Sequence, residues 1–427
     1  MIRQYRYNEI SVTEIMGRKE EHADVSEQVA RILADVRREQ DAALFRYGAQ
    51  FDQAVLDTLE VTEQERKQAL AEVEDGFLDI LRTAAANIRA FHEKQKRQGF
   101  VITETNGVVL GQKITPLDRV GIYVPGGTAS YPSTVLMDAI PAKIAGVREI
   151  IMVTPAKGGK IAPVILAAAE IAGVDRIFKV GGAQAVAALA YGTESIPKVD
   201  KIVGPGNAYV AEAKKQVFGR VSIDMIAGPS EILILADDSC DAEIVAADML
   251  SQAEHDKLAS AVLVTDSQRL ADAVALEIER QIPLLPRAEI ARASIDVYGK
   301  ILLAESMAQA VEISNEIAPE HLEICVDDPF AYLAGIRHAG SIFLGKYAPE
   351  ALGDYFAGPN HTLPTSGTAR FSSPLSVDDF LKKSSFTYYT EQALQQVGGQ
   401  IVRFAQEEGL DAHGRSVSIR LEKGGTV

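Results

Sequence analysis

Short runs of β-branched residues alternate with alanine-rich helical stretches from about residue 119 onward, and this alternation limits the fold more than any other feature. "RVGIYV", "EIIMVTP" and "RIFKV" are each followed by a stretch with helical spacing, such as "APVILAAAEIAG". Strands that alternate with helices in this way build parallel sheets with helices on both faces. A second series runs from "EILILAD" through "AVLVTD" and "LEICVDD" to "SIFLG". The pattern predicts an α/β fold with two doubly wound (Rossmann-like) parallel-sheet domains.

The segments outside these two series do not show the strand–helix alternation. Residues 22–98 carry apolar residues at helical spacing, and "TEQERKQALAEV" opens with a capping-box pattern. "FVITETNGVVLGQKI" alternates about Asn106-Gly107, which predicts a β-hairpin. The tail holds a "SSFTYYT" strand and two short helices, too little to bury a core alone. We expect it to dock on the body of the chain or on a partner subunit.

These changes in sequence pattern predict four parts of the chain. They are an N-terminal arm (1–21), a larger α/β domain (22–120 with 230–374), an inserted Rossmann-like domain (121–229) and a small C-terminal domain (375–427). A chain of 427 residues is too long for one ordinary core, which agrees with this division.

Composition narrows the class of protein and its location. The net charge is −16 and no lysine- or arginine-rich run is present, which argues against binding to nucleic acid or to an anionic membrane surface. Two cysteines are too few for a disulfide framework and fit a reducing compartment. The N-terminus has no apolar signal region, and no stretch approaches the roughly 18 apolar residues of a membrane span. We expect a cytoplasmic protein.

Three glycine-bearing turns follow strands of the first series: "VPGGTASYPST", "VGGAQA" and "GPGNAYV". Glycine between a strand and a helix lets a phosphate approach the backbone and the helix N-terminus. None of the turns matches G-x-G-x-x-G, and plain turn geometry explains each one alone. Together, at the carboxyl ends of strands in one sheet, they favour a ligand site, for which a dinucleotide is one candidate.

Two short stretches place polar groups side by side. "LSQAEH" ends a helical stretch, and Gln252 and His255 are three residues apart, so both should project from one helix face. This pair is either a polar helix end in water or half of a metal site. "EIAPEHLEI" places Glu320 and His321 at the start of a short strand. That pair is either a solvated edge or a general acid/base pair, and both side chains reach one pocket only if the backbone bends there.

The stretch "ALGDYFAGPNHTLPTSGTARF" has turn residues throughout and no regular period, and irregular loops of this length are often functional. It offers Asp354 and His361, and the tail segment "EEGLDAHGRS" adds Glu408 and His413.

Four of these side chains offer two nitrogens and two oxygens, a set that Zn²⁺ accepts. They are Gln252, His255, Asp354 and His413. Their scatter along the sequence leaves the grouping undecided on spacing alone. The remaining histidines, His22, His92 and His338, are expected at the surface. Cys325 alternates with apolar residues in "HLEICV" and is expected to be a core residue rather than a thiolate nucleophile.

The motifs "VGGAQA", "GPGN", "AGPSE", "SQAEH", "APEHLE" and "GDYFAGPNHTLPT" together resemble the histidinol dehydrogenase family, and the resemblance covers essentially the whole chain. It implies a homodimeric, cytoplasmic enzyme of histidine biosynthesis with one Zn²⁺ per subunit. Such an enzyme oxidises L-histidinol to L-histidine in two NAD-dependent steps, through L-histidinaldehyde.

The resemblance also implies roles for individual residues. The zinc ligands would be Gln252, His255, Asp354 and, donated by the neighbouring subunit, His413. The acid/base pair would be Glu320 and His321. The substrate contacts would be Ser230, Gln252, His255, His321, Asp354, His361, Glu408 and His413. The NAD contacts, all in the glycine-bearing turns of the inserted domain, would be Tyr123, Gln184 and Asn207.

Two other classes of protein use parts of this pattern. A metal-dependent hydrolase could use the same Gln/His/Asp/His set, but it has no need for three glycine turns on a second sheet. A two-lobed ligand-binding protein has no need for a Glu-His pair beside a metal, and most such proteins carry an export signal.

Overall fold

A computed structural model describes residues 2–15, 24–126 and 130–424 of the chain. The predicted N-terminal arm, His22 and the first glycine-bearing turn therefore lie partly or wholly outside the described residues. The strands are β1 (Arg3–Arg6), β2 (Phe100–Thr103), β3 (Val109–Pro116), β4 (Arg119–Tyr123), β5 (Glu149–Val153), β6 (Arg176–Phe178), β7 (Lys201–Val203), β8 (Ser222–Ile223), β9 (Glu231–Ala236), β10 (Ser260–Thr265), β11 (Lys300–Leu303), β12 (His321–Cys325), β13 (Ser341–Leu344) and β14 (Leu381–Tyr388).

Helices separate most of these strands, and none of the helices in the described ranges has the length and apolar character needed to cross a bilayer. They are α1 (Val12–Ile15), α2 (Ser26–Glu39), α3 (Asp41–Phe51), α4 (Glu63–Glu72), α5 (Asp75–His92), α6 (Pro132–Ala145), α7 (Pro163–Ala172), α8 (Gly182–Tyr191), α9 (Ala208–Val217), α10 (Ala242–Ala253), α11 (Gln268–Gln281), α12 (Ala288–Val297), α13 (Met307–Ile317), α14 (Phe330–Leu333), α15 (Glu350–Tyr355), α16 (Glu391–Glu407) and α17 (Asp411–Gly424).

The chain divides into two compact units. The main unit consists of residues 1–95 and 117–380, and the minor unit of residues 96–116 and 381–427. The main unit contains two parallel sheets, and the minor unit contains one antiparallel sheet. The bounds of the four parts predicted from the sequence stay a prediction.

The first sheet has six parallel strands in the order β1-β11-β10-β9-β12-β13. Its central strands β9, β10 and β12 are buried throughout, as expected for strands that are covered on both faces. In β9, Ile232 and Ile234 pack with α10, α11 and α12, while Leu233 and Leu235 pack with α13 on the other face. The continuous apolar run of "EILILA" therefore fills two cores at once.

The second sheet has five parallel strands in the order β6-β5-β4-β7-β8. Helix α2 packs against α8, so Val29 and Val36 share a core with Ile202 of β7. Helix α4 begins at a capping box, in which Thr62 Oγ1 accepts the Glu65 N–H at 3.2 Å, as its sequence predicts. The α/β fold with two doubly wound parallel sheets is confirmed.

The minor unit contains the predicted hairpin, strand and two helices. Strands β2 and β3 pair antiparallel, and β14 adds to the other edge of β3. At the hairpin turn Gly107 has a φ of 83°, and a Cβ there would lie 2.7 Å from Thr390 Cγ2, so glycine is required. The unit exposes several large apolar side chains, including Phe100 (53%), Tyr388 (59%) and Phe404 (68%).

Candidate functional site

A cleft of about 1250 Å³ opens between the carboxyl edge of the second sheet and the end of α10 in the main unit. One wall consists of the turns that follow β4, β6 and β7. The other wall carries His255, Arg287 and Ile290. The cleft is large enough for a dinucleotide, since small-molecule sites range from about 300 to 1,000 Å³.

The glycine-bearing turns give the first wall its shape. Gly204 has a φ of 110°, and a Cβ there would lie 2.1 Å from the Tyr123 carbonyl oxygen, so only glycine fits. The Tyr123 hydroxyl accepts the Gly182 N–H at 3.1 Å, and burial raises the pKa of Tyr123 to about 12. Asn207 caps α9 by accepting the N–H groups of the next turn. Each turn therefore holds its backbone close to the cleft.

Gln184 supplies an unused polar atom on this wall. The residue is 1% exposed, and its Oε1 is buried without a hydrogen-bond partner among the described residues. A buried acceptor without a partner is costly, so a ligand donor in the cleft would relieve that cost. The wall therefore fits a ligand with a hydrogen-bond donor, a requirement that a nicotinamide dinucleotide meets.

The amino ends of β9 and β12 form a second polar centre, at the amino edge of the first sheet. In this register His321 is opposite Ile232. The backbone of Glu231 serves both neighbouring side chains: its N–H donates to Glu320 Oε2 at 2.8 Å, and its carbonyl lies 3.0 Å from His321 Nδ1. Glu320 immediately precedes β12, so the rule that adjacent side chains of a strand point to opposite faces does not apply to Glu320 and His321. Both side chains therefore reach the same backbone group, as a shared pocket requires.

The ring of His321 is held in one tautomer. A carbonyl oxygen can only accept, so Nδ1 carries a proton, and in the neutral ring the lone pair is on Nε2. Nε2 is buried and has no hydrogen-bond partner in the part of the chain that the structure describes. Glu350 Oε1 and Asp354 Oδ1 each lie 3.8 Å from it. Burial lowers the pKa of His321, but these carboxylates and Glu320 outweigh burial and hold the pKa well above its usual value.

Glu320 is the carboxyl group that accompanies His321 in the predicted acid/base pair. It is 7% exposed, and burial raises its pKa to about 8, although His321 and the Glu231 N–H act in the opposite direction. The raised pKa makes the Glu320 carboxylate a stronger base than a solvated glutamate. A carboxyl and an imidazole with such shifted pKa values, side by side and buried, suit proton transfer.

Three side chains beside His321 bring metal-binding atoms together. Ligand atoms of His255, Glu350 and Asp354 all lie within 4.8 Å of one another. Glu350 and Asp354 are four residues apart in α15, so they share one helix face. Burial opposes ionisation of Asp354, but His321, His361 and His255 outweigh it and lower its pKa.

Gln252 lies against this donor set. It is fully buried, and its amide faces the Glu350 carboxylate. With the amide nitrogen toward Glu350, Gln252 donates to Oε2 at 2.7 Å and its oxygen accepts the Glu231 N–H at 3.1 Å. The imidazole and carboxylate donors around one point fit a zinc ion.

The sequence-predicted residues fall into three groups. Those assembled at the amino edge of the first sheet are Ser230, Gln252, His255, Glu320, His321, Asp354 and His361. Those that line the cleft beside them are Tyr123, Gln184 and Asn207. The remaining two, Glu408 and His413, belong to the minor unit, where Glu408 ends α16 and His413 lies in the first turn of α17, both exposed.

His361 is fixed from two sides. Its Nδ1 lies 3.1 Å from the Asp354 carbonyl, and its Nε2 lies 3.3 Å from Thr134 Oγ1 at the start of α6. The next residue, Thr362, donates to Asp138 Oδ1 at 3.0 Å. The loop that carries His361 is therefore fastened to the helix that follows the first glycine-bearing turn.

Some details of the sequence prediction are wrong. His255 lies just beyond α10 rather than on its face, held by a 3.2 Å hydrogen bond from its N–H to the Gln252 carbonyl. The stretch predicted as irregular contains α15, because "EALGDY" forms a short helix. His92, expected at the surface, is fully buried, and its Nδ1 lies 2.7 Å from Gln95 Oε1. His338 is half-buried.

Sequence reasoning also missed Glu350. The residue is 3% exposed, belongs to the metal-binding group and accepts the amide N–H of Gln252. Its spacing of four from Asp354 is the available signal, because residues four apart share one face of a helix. Cys325, by contrast, is a core residue as predicted, with 3% exposure.

Known proteins resemble this chain along nearly its whole length. The sequence model of the family described as histidinol dehydrogenase matches residues 16–421. The chain is 58% identical to the histidinol dehydrogenase of Bacillus thuringiensis subsp. konkukian (strain 97-27) over 397 residues, 93% of this chain and 92% of the relative. It is 59% identical to that of Syntrophotalea carbinolica over 400 residues, 93% of each chain.

A solved structure agrees with these relatives. The crystal structure of histidinol dehydrogenase from Elizabethkingia anophelis superposes with a TM-score of 0.94 at 39% identity, and the match covers 100% of this chain and 99% of that one. The chain belongs to the histidinol dehydrogenase family.

Proposed function

We propose that the protein oxidises L-histidinol to L-histidine in two successive hydride transfers to NAD⁺, through L-histidinaldehyde, at a zinc site in a homodimer. One observation carries the proposal: His255 belongs to the metal-binding group and also lines the dinucleotide-sized cleft. A substrate held by the metal would therefore lie at the mouth of the cleft. Family membership supports the substrate.

The cofactor would lie along the wall of glycine-bearing turns. Tyr123, Gln184 and Asn207 would contact it, and the buried Gln184 Oε1 would gain the partner that it lacks. When bound, NAD⁺ accepts a hydride from the substrate carbon in each of the two oxidations.

The metal would be held by Gln252, His255, Asp354 and His413 of the partner subunit. When bound, Zn²⁺ supplies a positive charge that orients the imidazole and amino nitrogens of the substrate, without redox chemistry of its own. Gln252 would bind through its amide oxygen, the atom that accepts the Glu231 N–H in this structure, while Glu350 accepts its amide N–H. The exposure of His413 and of the apolar side chains of the minor unit supports a role for that unit in contact with a second chain.

His321 would take the alcohol proton. Its Nδ1–H is fixed on the Glu231 carbonyl, so in the neutral ring Nε2 is the atom that would accept the proton, and it faces the carboxylates of the metal-binding group. Glu320 would take a proton from the water that hydrates the aldehyde, since its Oε2 is already positioned by the Glu231 N–H. Both proton acceptors are thus aligned by one backbone residue at the start of β9.

Substrate contacts would come from the loops around this edge. Ser230 immediately precedes β9, and His361 is fixed by Asp354 and Thr134. Glu408, in the minor unit, would contact the substrate in the site of the neighbouring subunit. A site closed from several sides keeps the reactive aldehyde from escaping.

The test is an absorbance assay for NADH with L-histidinol, combined with metal analysis of the same samples. His255→Asn should lose zinc and activity together. His338→Asn is the matched control, because it changes a half-buried histidine outside the metal-binding group, and it should keep both. Full zinc content and full activity in His255→Asn would contradict the proposal.

A further inference from the structure

The two cysteines of the chain contact each other, although 85 positions separate them in the sequence. Their Sγ atoms lie 2.6 Å apart, and both are free thiols. Cys240 lies in the turn between β9 and α10. Cys325 ends β12 and is paired in register with Ala236 at the end of β9. Both side chains are buried in the core between the first sheet and its covering helices.

We propose that Cys240 and Cys325 are a redox modification site, at which hydrogen peroxide converts the two thiols into one reversible disulfide within the chain. The site lies at the carboxyl edge of the first sheet, at the opposite end of β12 from His321.

The surroundings make the two thiols unequal. The hydrogen bond from the S–H of Cys325 lowers the pKa of Cys240. Burial raises that pKa, and the nearby Lys346 ammonium lowers it further. The same contact and burial raise the pKa of Cys325. Lys346 is held in place by an ion pair with Asp327 Oδ1 at 2.7 Å. Because the thiolate is the nucleophile, and Cys240 adjoins both the exposed turn and the Lys346 ammonium that contacts the Ser239 carbonyl, Cys240 is the sulfur that reacts first.

An oxidant reaches Cys240 from the surface. The preceding residues Asp238 and Ser239 are exposed, and they belong to a short turn outside the sheet. Opening this turn uncovers the Sγ of Cys240 without breaking a strand pairing. Cys325, at the end of a central strand, is 3% exposed and lies in contact with Cys240.

The chemistry takes two displacements. The Cys240 thiolate attacks one peroxide oxygen and the O–O bond breaks, which gives a sulfenic acid and hydroxide. The Cys325 sulfur then attacks the sulfenic sulfur, the S–O bond breaks, and the proton of Cys325 leaves with the departing hydroxide as water. The first hydroxide takes up the proton that Cys240 had released. Two thiols and one peroxide thus give one disulfide and two waters.

The cross-link joins α10 and β12, and the far end of each of these elements carries a residue of the candidate site. It ties the start of α10, which ends beside Gln252, to the end of β12, which begins at His321. Closing a loop of this length restricts the unfolded chain strongly, so the oxidised protein should melt about 3–10 °C higher than the reduced protein.

The experiment uses the full-length protein, reduced and then treated with a small excess of hydrogen peroxide. After alkylation in denaturant, the intact mass should show a loss of two hydrogens and no alkylated thiol, and dithiothreitol should restore two alkylated thiols. The oxidised protein should run as a single chain on a non-reducing gel. Cys240→Ala and Cys325→Ala are the matched controls; neither can form the bond, and neither should show the rise in melting temperature.

Three results would overturn the proposal: two thiols that still alkylate after peroxide treatment, addition of oxygen atoms instead of loss of hydrogens, or a cross-link between chains. The comparison of oxidised and reduced wild-type protein decides the matter even if a variant fails to fold.

Discussion

Replacing Glu320 by glutamine should change the pH dependence of stability, because burial has raised the pKa of this carboxyl from 4.5 to about 8. Each pH unit corresponds to about 1.4 kcal/mol, so ionising Glu320 in the folded protein costs up to roughly 5 kcal/mol relative to the unfolded chain. A group whose pKa is raised on folding loses its favourable contribution as the pH rises from its unfolded to its folded pKa. For Glu320 that window runs from 4.5 to about 8.

Glutamine resembles the protonated carboxyl at every pH, and its oxygen can still accept the Glu231 N–H. At pH 5 the wild type and Glu320→Gln should melt at nearly the same temperature. At pH 9 the variant should melt about 3–8 °C above the wild type, since the wild type then carries a buried charge that the variant lacks. The measurement is a series of melting curves between pH 5 and 9. The protein is metal-free, because the raised pKa of Glu320 applies to the protein without a bound metal.

Glu72→Gln is the matched control, because it makes the same chemical change at an exposed position. Its melting temperature should follow that of the wild type at every pH. If Glu320→Gln also follows the wild type from pH 5 to 9, Glu320 is not a buried carboxyl with a raised pKa, and its role as a proton acceptor loses its physical basis.

Three further outcomes follow from the geometry of the site. His321→Asn should lower kcat by roughly 10²–10⁴, the range for loss of a general base, while the zinc content stays unchanged; equal turnover would exclude Nε2 as the base. Gly204→Ala should raise the KM for NAD⁺ more than tenfold, because its Cβ would meet the Tyr123 carbonyl at 2.1 Å, and an unchanged KM would place the cofactor elsewhere. Refolded equal mixtures of inactive His255→Asn and His413→Asn chains should recover about a quarter of the wild-type activity if each site uses both subunits, whereas inactive heterodimers would show that one chain builds the whole site.

Local patterns in the sequence predicted the fold well. The apolar run "EILILA" and the alanine-rich helices required a parallel sheet covered on both faces, and both sheets have that form. Asn106-Gly107 predicted the hairpin because only a residue such as glycine adopts the φ of 83° found there. The buried strands and the hairpin turn are set by residues close together in the sequence, so the sequence alone is enough to predict them.

Features that depend on distant residues were predicted less well. Glu350 was missed because its partner Gln252 is about a hundred positions away and its burial depends on the packing of α15. His92 was expected at the surface, but it is buried beside Gln95, whose side chain also accepts the Val377 N–H. Polar residues of this kind can be assigned only when the surrounding elements are in place.

The central claim is that one zinc-containing site carries out both oxidations. The most direct measurement follows L-histidinol, NADH and bound zinc in the same sample of purified protein. The account predicts two NADH and one L-histidine for each L-histidinol consumed, with activity that disappears when a chelator removes the zinc and returns when zinc is restored. A yield of one NADH per L-histidinol, or a reaction that proceeds unchanged in zinc-free protein, would contradict it.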